Sequence, residues 1–192
     1  MEIIRTEIPK YTELIDLASE KIGGQTLLCS DDFFAEKENL LKAGRGVFIE
    51  DKYTDRGKWM DGWESRRKRT EGHDWCIIKL GASGIIRGLD IDTNHFLGNH
   101  PPHASLEACY IEGNPSNEEL QSSDVIWTEL CGKSHLDPGS QNFYEVHNNE
   151  IWTHIRLHIY PDGGVARLRV YGEVYKNWDS VDANEEINLA AA

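Results

Sequence analysis

One short segment of the sequence concentrates side chains that can bind an anion. Residues 59–69, WMDGWESRRKR, contain two tryptophans, two carboxylates and four cations. An arginine fork binds a carboxylate through two parallel hydrogen bonds, and Glu64 can accept hydrogen bonds from the N–H groups of a ligand. The same composition suits a loop that its tryptophans anchor to the fold while its basic residues stay in water. The segment therefore predicts either a site for a small anion or a structural loop.

A second polar segment, residues 90–103, follows an apolar run and enters a loop that contains prolines. Loops at strand ends are common places for binding residues. His95 is a candidate general acid or base because imidazole exchanges protons near neutral pH, although a single loop histidine can also be structural. The carboxylates and imidazoles of this segment offer groups for a divalent metal, but their spacing matches no established ligand motif. No metal-ligating residue is therefore assigned.

Motifs for covalent serine catalysis and for nucleotide binding are absent from the sequence. It contains no G-x-S-x-G, P-loop or G-x-G-x-x-G pattern. The formal net charge of -13 repels phosphate backbones and anionic lipids, so nucleic-acid and membrane partners are not expected. A small anionic substrate remains compatible, because a local cluster of arginines reverses the charge inside a pocket.

The sequence also predicts the compartment and the state of the cysteines. No apolar stretch approaches the ~18 to 20 residues that span a bilayer, and residues 1–10 lack an apolar signal region, so a cytoplasmic protein is expected. The cysteines are widely spaced, without a C-x-x-C pair, which predicts reduced thiols and leaves a disulfide as the alternative. They are Cys29, Cys76, Cys109 and Cys131.

The hydrophobic pattern predicts a mainly β protein. A short helix over 11–22 comes first, and a region at 33–58 is expected to be a loop with a helical turn at 35–41. Elsewhere, short apolar runs alternate with turn residues, and eight such runs at this chain length favour a β-sandwich. The expected strands cover residues 26–29, 75–80, 85–92, 104–111, 125–130, 142–147, 153–160 and 165–175.

The last two expected strands carry the clearest alternation of apolar and polar residues. The sequence PDGG at 161–164 between them is typical of a turn, which predicts that 153–160 and 165–175 form a hairpin. Pairing in this way would place one apolar face on the core and gather the basic side chains on the opposite face. These side chains are His154, Arg156, His158, Arg167 and Arg169.

Four ordered blocks of the sequence resemble the allantoicase repeat. They are DGWESRR at 61–67, DWCIIKLG at 74–81, DTNHFLGN at 92–99 and YPDGGVAR at 160–167. The resemblance extends over residues 23–175, and four blocks in order are more specific than one short motif. It implies an all-β jelly-roll sandwich similar to galactose-binding domains, here with the short N-terminal helix.

The resemblance also implies an activity and an organisation. Allantoicases hydrolyse allantoate to (S)-ureidoglycolate and urea in purine breakdown, usually carry two repeats, and form homo-oligomers. Residues 1–178 would be one complete repeat, and 179–192 a linker with the start of a second, because EINLA at 186–190 echoes LIDLA at 14–18. A disordered or docked tail is the alternative for 179–192.

Two other functions compete with an active hydrolase. Jelly-roll sandwiches of this size also serve as carbohydrate- or ligand-binding modules, for which Trp59, Trp63 and Trp152 would form an aromatic platform. The chain can also be a structural half of a two-repeat enzyme. In that case the polar blocks would face solvent without converging on a cleft.

The chemistry of allantoate suggests roles for the candidate residues. The substrate carries one carboxylate and two ureido groups on one carbon, so its hydrolysis needs a cation, acceptors for ureido N–H groups and a proton donor for the departing urea. In this hypothesis Arg66 or Arg167 binds the substrate carboxylate, and Arg169 lies behind the binding arginine. The catalytic candidates are His95, which transfers the proton, with Asp92 and Glu64, which hold ureido nitrogens; the substrate-binding candidates are Arg66, Arg67, Asn99, His154, Arg167 and Arg169. A divalent metal such as Mn²⁺ is the one candidate cofactor.

Overall fold

Almost all regular structure in the computed structural model, which describes residues 7–176, is β-strand. The strands are β1 Ile15–Asp16, β2 Gln25–Cys29, β3 Tyr53–Thr54, β4 Gly57–Lys58, β5 Trp63–Glu64, β6 Asp74–Asp92, β7 His103–Cys109, β8 Thr128–His135, β9 Gln141–Glu145, β10 Trp152–Tyr160, β11 Gly164–Val165 and β12 Arg167–Val174. The helical segments are α1 Asn117–Leu120 and the 3-10 helices Lys10–Glu13, Glu20–Ile22 and Lys37–Leu41. The predicted tail, 179–192, lies outside the described residues.

Strand β6 is shared by two layers of antiparallel sheet. Its first half pairs with β2 and β10, and β10 continues to β7 and β8. Its second half pairs with β9 and β12, and β12 continues to β1. The inner faces of both layers pack into one hydrophobic core, which confirms the expected β-sandwich.

Two of the expected strands, 75–80 and 85–92, are parts of this single strand β6. Gly84 pairs with Trp152 of β10 and with Val174 of β12, so the backbone ladder continues through the glycines. A Cβ atom on Gly84 would lie 2.3 Å from the carbonyl oxygen of Glu173. These glycines therefore permit a close approach between strands, where the sequence pattern indicated a turn.

The predicted hairpin between 153–160 and 165–175 is wrong. β10 lies between β6 and β7 in the first layer, whereas β12 lies between β6 and β1 in the second layer. The basic side chains that were expected on one face therefore lie on different layers: Arg156 and His158 are on β10, Arg169 is on β12, and His154 and Arg167 are buried. Alternation within each strand is the same for a hairpin and for a sandwich, so it could not distinguish between them.

The expected helix over 11–22 is replaced by two 3-10 helices with β1 between them. Asp16 pairs with Tyr171 of β12, and the Leu17 amide donates to the Val170 carbonyl at 2.7 Å. Leu17 and Ala18 are fully buried by this pairing. Pairing with β12 therefore outweighs the local helical preference.

The expectations for residues 35–41 and for the cysteines agree with the structure. A helical turn does occur within 35–41, as the 3-10 helix Lys37–Leu41, and the two short strands β3 and β4 lie later in the same loop region. All four cysteines are free. Among residues 7–176, no helix is long and apolar enough to cross a membrane.

Candidate functional site

Three of the four sequence blocks meet at one end of the sandwich. Strand β11 pairs with β5, with Gly164 opposite Glu64. The loop after β6 joins them, because the Gly164 amide donates to the carbonyl oxygen of Asn99 at 2.8 Å. The Ala166 amide donates to the carbonyl oxygen of Asp92, also at 2.8 Å. Backbone bonds therefore fix the positions of residues that lie 65 to 100 positions apart in the sequence.

Phe96 anchors the loop that follows β6. Its ring is fully buried against Met60 and Ala166, apart from the main core. Glycine is required at two positions beside the ring: an added Cβ would lie 2.8 Å from the ring at Gly62 and 2.0 Å from it at Gly164. The ring thus sets the distance between this loop and the strands β5 and β11.

Replacing Gly164 with alanine should therefore destabilise the protein. The buried ring has no free space in which to retreat, so we expect the free energy of unfolding to fall by about 1 to 3 kcal/mol. Urea denaturation measures the change. Gly98→Ala is the matched control, since a Cβ there meets no atom within 4 Å. Equal stability of the two variants would contradict this account of the loop.

A hydrogen bond between Glu64 and Asn99 lies at the centre of the end surface. The Asn99 Nδ2 donates to Glu64 Oε1 at 2.7 Å. Burial raises the pKa of the Glu64 carboxyl, and the bond from Asn99 partly offsets that rise. The second carboxylate oxygen has no hydrogen bond to another described residue. Glu64 is thus a half-buried carboxyl with one oxygen available to a ligand.

Two open hollows lie on either side of this pair and share it as a wall. The smaller hollow, of about 330 Å³, also contains His95, Arg56 and Lys58. The larger one, of about 500 Å³, also contains Arg67, His100 and Asp162. Volumes of this size fall in the range of small-molecule sites.

Among the arginines that the sequence predicted for substrate binding, Arg67 has a guanidinium that is accessible from a hollow. It is exposed, it lines the larger hollow, and no carboxylate of residues 7–176 pairs with it. Arg66, by contrast, binds Asp31 through its Nε at 2.9 Å and its Nη2 at 2.6 Å. Neither hollow includes Arg66. The two adjacent arginines therefore have different surroundings.

Arg167 is buried beneath the site rather than open to it. Its Nη2 donates to Asp61 Oδ2 at 2.8 Å, and its Nε donates to the Gly44 carbonyl at 3.2 Å. Burial would raise the pKa of Asp61, but the bonds from Arg167 and the Val47 amide outweigh it and hold that pKa below its usual value. This ion pair joins β12 to two loops.

Arg169 and Asp92 lie on the same outer face of the second layer and hold the loop 42–46. Arg169 Nη2 donates to the carbonyl oxygens of Lys42 and Gly44, both at 2.7 Å. Asp92 accepts two bonds from Arg45, at 2.8 and 2.9 Å. Both predicted site residues thus have their charged groups engaged by the protein.

His154 lies away from the other candidates. It is fully buried near the start of β10, opposite Lys79 and Cys109. Burial, and to a lesser degree the charge of Lys79, lower its pKa to about 4. Six strand residues separate it from the Tyr160 end of β10, or roughly 20 Å at the usual rise per residue. The structure therefore does not bring His154 to the site.

His100 is a site residue that the sequence assignments missed. It lines the larger hollow with Glu64 and Arg67. The sequence places it among several histidines of one polar segment, and only the backbone path shows which of them faces a cavity. Its position directly before Pro101, which restricts the local backbone, was the available signal.

The aromatic platform of the carbohydrate-binding alternative does not form. Trp63 is fully buried, with its indole N–H donating to the Asp31 carbonyl at 2.8 Å. Trp152 is also buried, and Lys52 covers the ring of Trp59 at 3.6 Å from its centroid. Among residues 7–176, no group of three or more His, Cys, Asp or Glu side chains is arranged to hold a metal ion.

The fold is a jelly-roll sandwich of the galactose-binding type, and the polar hollows form a candidate site at its loop end. The fold is similar to that of CBM32-3 from a family 31 glycoside hydrolase of Clostridium perfringens, with a TM-score of 0.57 and 15% identity. That match covers 86% of this chain and 99% of the other. At this identity the likeness concerns the fold alone.

More specific comparisons identify the family. The model of the allantoicase repeat matches residues 15–175. A probable allantoicase of Photobacterium profundum is 47% identical over 181 residues, which are 94% of this chain and 53% of that protein. A solved structure of allantoicase has a TM-score of 0.75 and 38% identity over 86% of this chain and 50% of that chain. The chain belongs to the allantoicase repeat family, and it spans about half the length of these relatives.

Proposed function

We propose that this chain hydrolyses allantoate to ureidoglycolate and urea. The observation that carries the proposal is that an available carboxylate oxygen of Glu64 and the unpaired guanidinium of Arg67 face the same hollow, with Asn99 between the two hollows. Membership of the allantoicase repeat family supports it. The buried tryptophans give no support to the carbohydrate-binding alternative.

In this mechanism three side chains contact the substrate. Arg67 binds the carboxylate through its two-pronged guanidinium. Glu64 takes a proton from the attacking water, a role that suits a carboxyl whose pKa is raised by burial. Asn99 accepts a hydrogen bond from a ureido N–H group. His95, at the edge of the smaller hollow, is the sequence-based candidate for the proton donor.

The remaining candidates act through the scaffold in this proposal. Asp92, Arg167 and Arg169 position the loops 42–46 and 61–64, because their charged groups already have protein partners. Arg66 and His154 are left outside the reaction.

The direct test is release of urea from allantoate by the purified chain. The assay includes one arm with added Mn²⁺ and one with a chelator, so that any dependence on a metal is measured in the same experiment. We expect turnover that Arg67→Ala weakens by raising KM. No urea release under any of these conditions would overturn the proposal.

Removal of the Asn99 amide should change the pH dependence of this activity. The bond from Asn99 lowers the pKa of Glu64, so in Asn99→Ala that pKa rises further. Since the base must be ionised, the acid limb of the kcat/KM profile should move to higher pH. Asn114→Ala, at an exposed residue that lines a separate cavity with Tyr110 and Glu119, is the control and should leave the limb in place. If the acid limb does not move in Asn99→Ala, then the ionisation of Glu64 does not determine it.

We also propose that the protein is a cytoplasmic homo-oligomer. Support for assembly comes from large apolar side chains exposed near the smaller hollow, among them Phe48 at 50% and Leu97 at 69%. Light scattering on the purified chain measures its mass, and a monomer at all concentrations would contradict the assembly.

A further inference from the structure

The larger hollow contains an imidazole with one ring nitrogen open to a ligand. On the basis of the proposed function, we infer that His100, and not His95, donates the proton to the departing urea. His100 lines the same hollow as Glu64 and Arg67, whereas His95 lines the smaller hollow on the other side of Asn99. Acid, base and carboxylate-binding cation are thus present in one cavity.

The two ring nitrogens of His100 have different surroundings. Its Nδ1 is buried and has no hydrogen-bond partner. Its Nε2 forms no hydrogen bond with another described residue and is not among the enclosed atoms, so this nitrogen remains accessible. An imidazole that encloses one nitrogen and exposes the other presents a single atom to the substrate, as a proton donor requires.

The backbone of His100 is also fixed more firmly than that of His95. The carbonyl of the preceding Asn99 accepts the Gly164 amide at 2.8 Å, and Pro101 follows. The turn after β10 packs directly against this segment, since a Cβ on Gly163 would lie 3.0 Å from the carbonyl carbon of His100. His95 is exposed and adopts a φ of 67°, and its ring contacts the exposed ring of Phe48. Proton transfer depends on accurate positioning, which favours His100.

The two hollows explain how the site distinguishes the two chemically identical ureido arms of allantoate. With the carboxylate on Arg67, one ureido arm lies in the larger hollow between Glu64 and His100. The other arm then lies in the smaller hollow, across the Glu64–Asn99 bond, where His95 contacts it. The arm beside His100 is cleaved, and the arm beside His95 is retained.

The proton transfers in this step balance. Water gives a proton to Glu64 as its oxygen bonds to the central carbon. The bond from that carbon to the departing nitrogen breaks, its electron pair stays on nitrogen, and the Nε2 proton of His100 joins it. Glu64 then returns its proton to His100 through solvent, so both groups are ready for the next turnover.

Paired glutamine variants test the assignment. His100→Gln should lower kcat by about 10²- to 10⁴-fold, since the proton donor is lost. Its affinity for ureidoacetate, which has the carboxylate and one ureido arm, should stay within threefold by calorimetry. His95→Gln should raise KM more than it lowers kcat. Added imidazole should partly restore His100→Ala.

A measurement on the unmodified protein tests the assignment even if the variants misfold. In histidine ring NMR spectra, ureidoacetate should shift the His100 resonances and leave those of the exposed His147 unchanged. Unmoved His100 resonances, a kcat of His100→Gln within threefold of the wild type, or a larger loss of kcat in His95→Gln than in His100→Gln would each overturn the assignment while urea release by the wild-type chain continues. Absence of urea release by the wild-type chain would instead overturn the proposed function.

Discussion

Replacing Glu64 with glutamine should lower kcat for urea release by about 10²- to 10⁴-fold, the usual contribution of a positioned general base. Glutamine keeps the size of the side chain and can keep the contact with Asn99, but it cannot take a proton from water. The acid limb of the pH profile should disappear together with the rate. Steady-state kinetics across pH measure both effects.

The control for this variant is Glu71→Gln, an exposed glutamate of the loop between β5 and β6. It changes the net charge by the same amount and should leave kcat unchanged. If Glu64→Gln kept kcat within threefold of the wild type, Glu64 would not be the base, whatever its contacts.

Arg167→Ala should cause the largest loss of stability among the arginine variants. The substitution leaves the buried carboxylate of Asp61 without its partner, which typically costs about 3 to 5 kcal/mol. Since Asp61 has a lowered pKa in the native protein, the ion pair stabilises the fold above the ordinary carboxyl pKa and is lost as the pH falls through the lowered value. Chemical denaturation at pH 7 and at acid pH measures both parts.

Two comparisons separate this effect from a general loss of charge. Arg67→Ala removes an exposed, unpaired guanidinium and should change the unfolding free energy by no more than about 0.5 kcal/mol. The double variant Asp61→Leu with Arg167→Met removes both charges and should recover much of the loss. A small effect of Arg167→Ala alone would show that Asp61 is stabilised by other contacts.

Local sequence pattern was sufficient for the fold class and for most strands. Strict alternation, as in Ile155, Leu157 and Ile159, predicts a half-buried strand, and these side chains do face the core. The pattern does not contain the identity of the neighbouring strand. For this reason β10 and β12 were expected to pair with each other, although both pair with the long strand β6.

The candidate site was predictable where polar residues of the family blocks form no salt bridge within residues 7–176. Glu64, Arg67 and Asn99 meet these conditions. The ion pairs of Arg66 with Asp31 and of Arg167 with Asp61 join residues that are far apart in the chain, so a sequence pattern cannot show that these guanidinium groups are already occupied. The orientation of His100 likewise depends on the turn after β10, which packs against it only in the folded chain.

The pairing of β1 with β12 constrains when the molecule can fold. Ile15 lies opposite Gly172, so β1 leaves the ribosome more than 150 residues before its hydrogen-bonding partner. Until that partner emerges, Leu17 and Ala18 have no cover on one side. The second layer therefore closes only after β12 has emerged, and nascent chains stalled before β12 should depend on chaperones in a way that released chains do not.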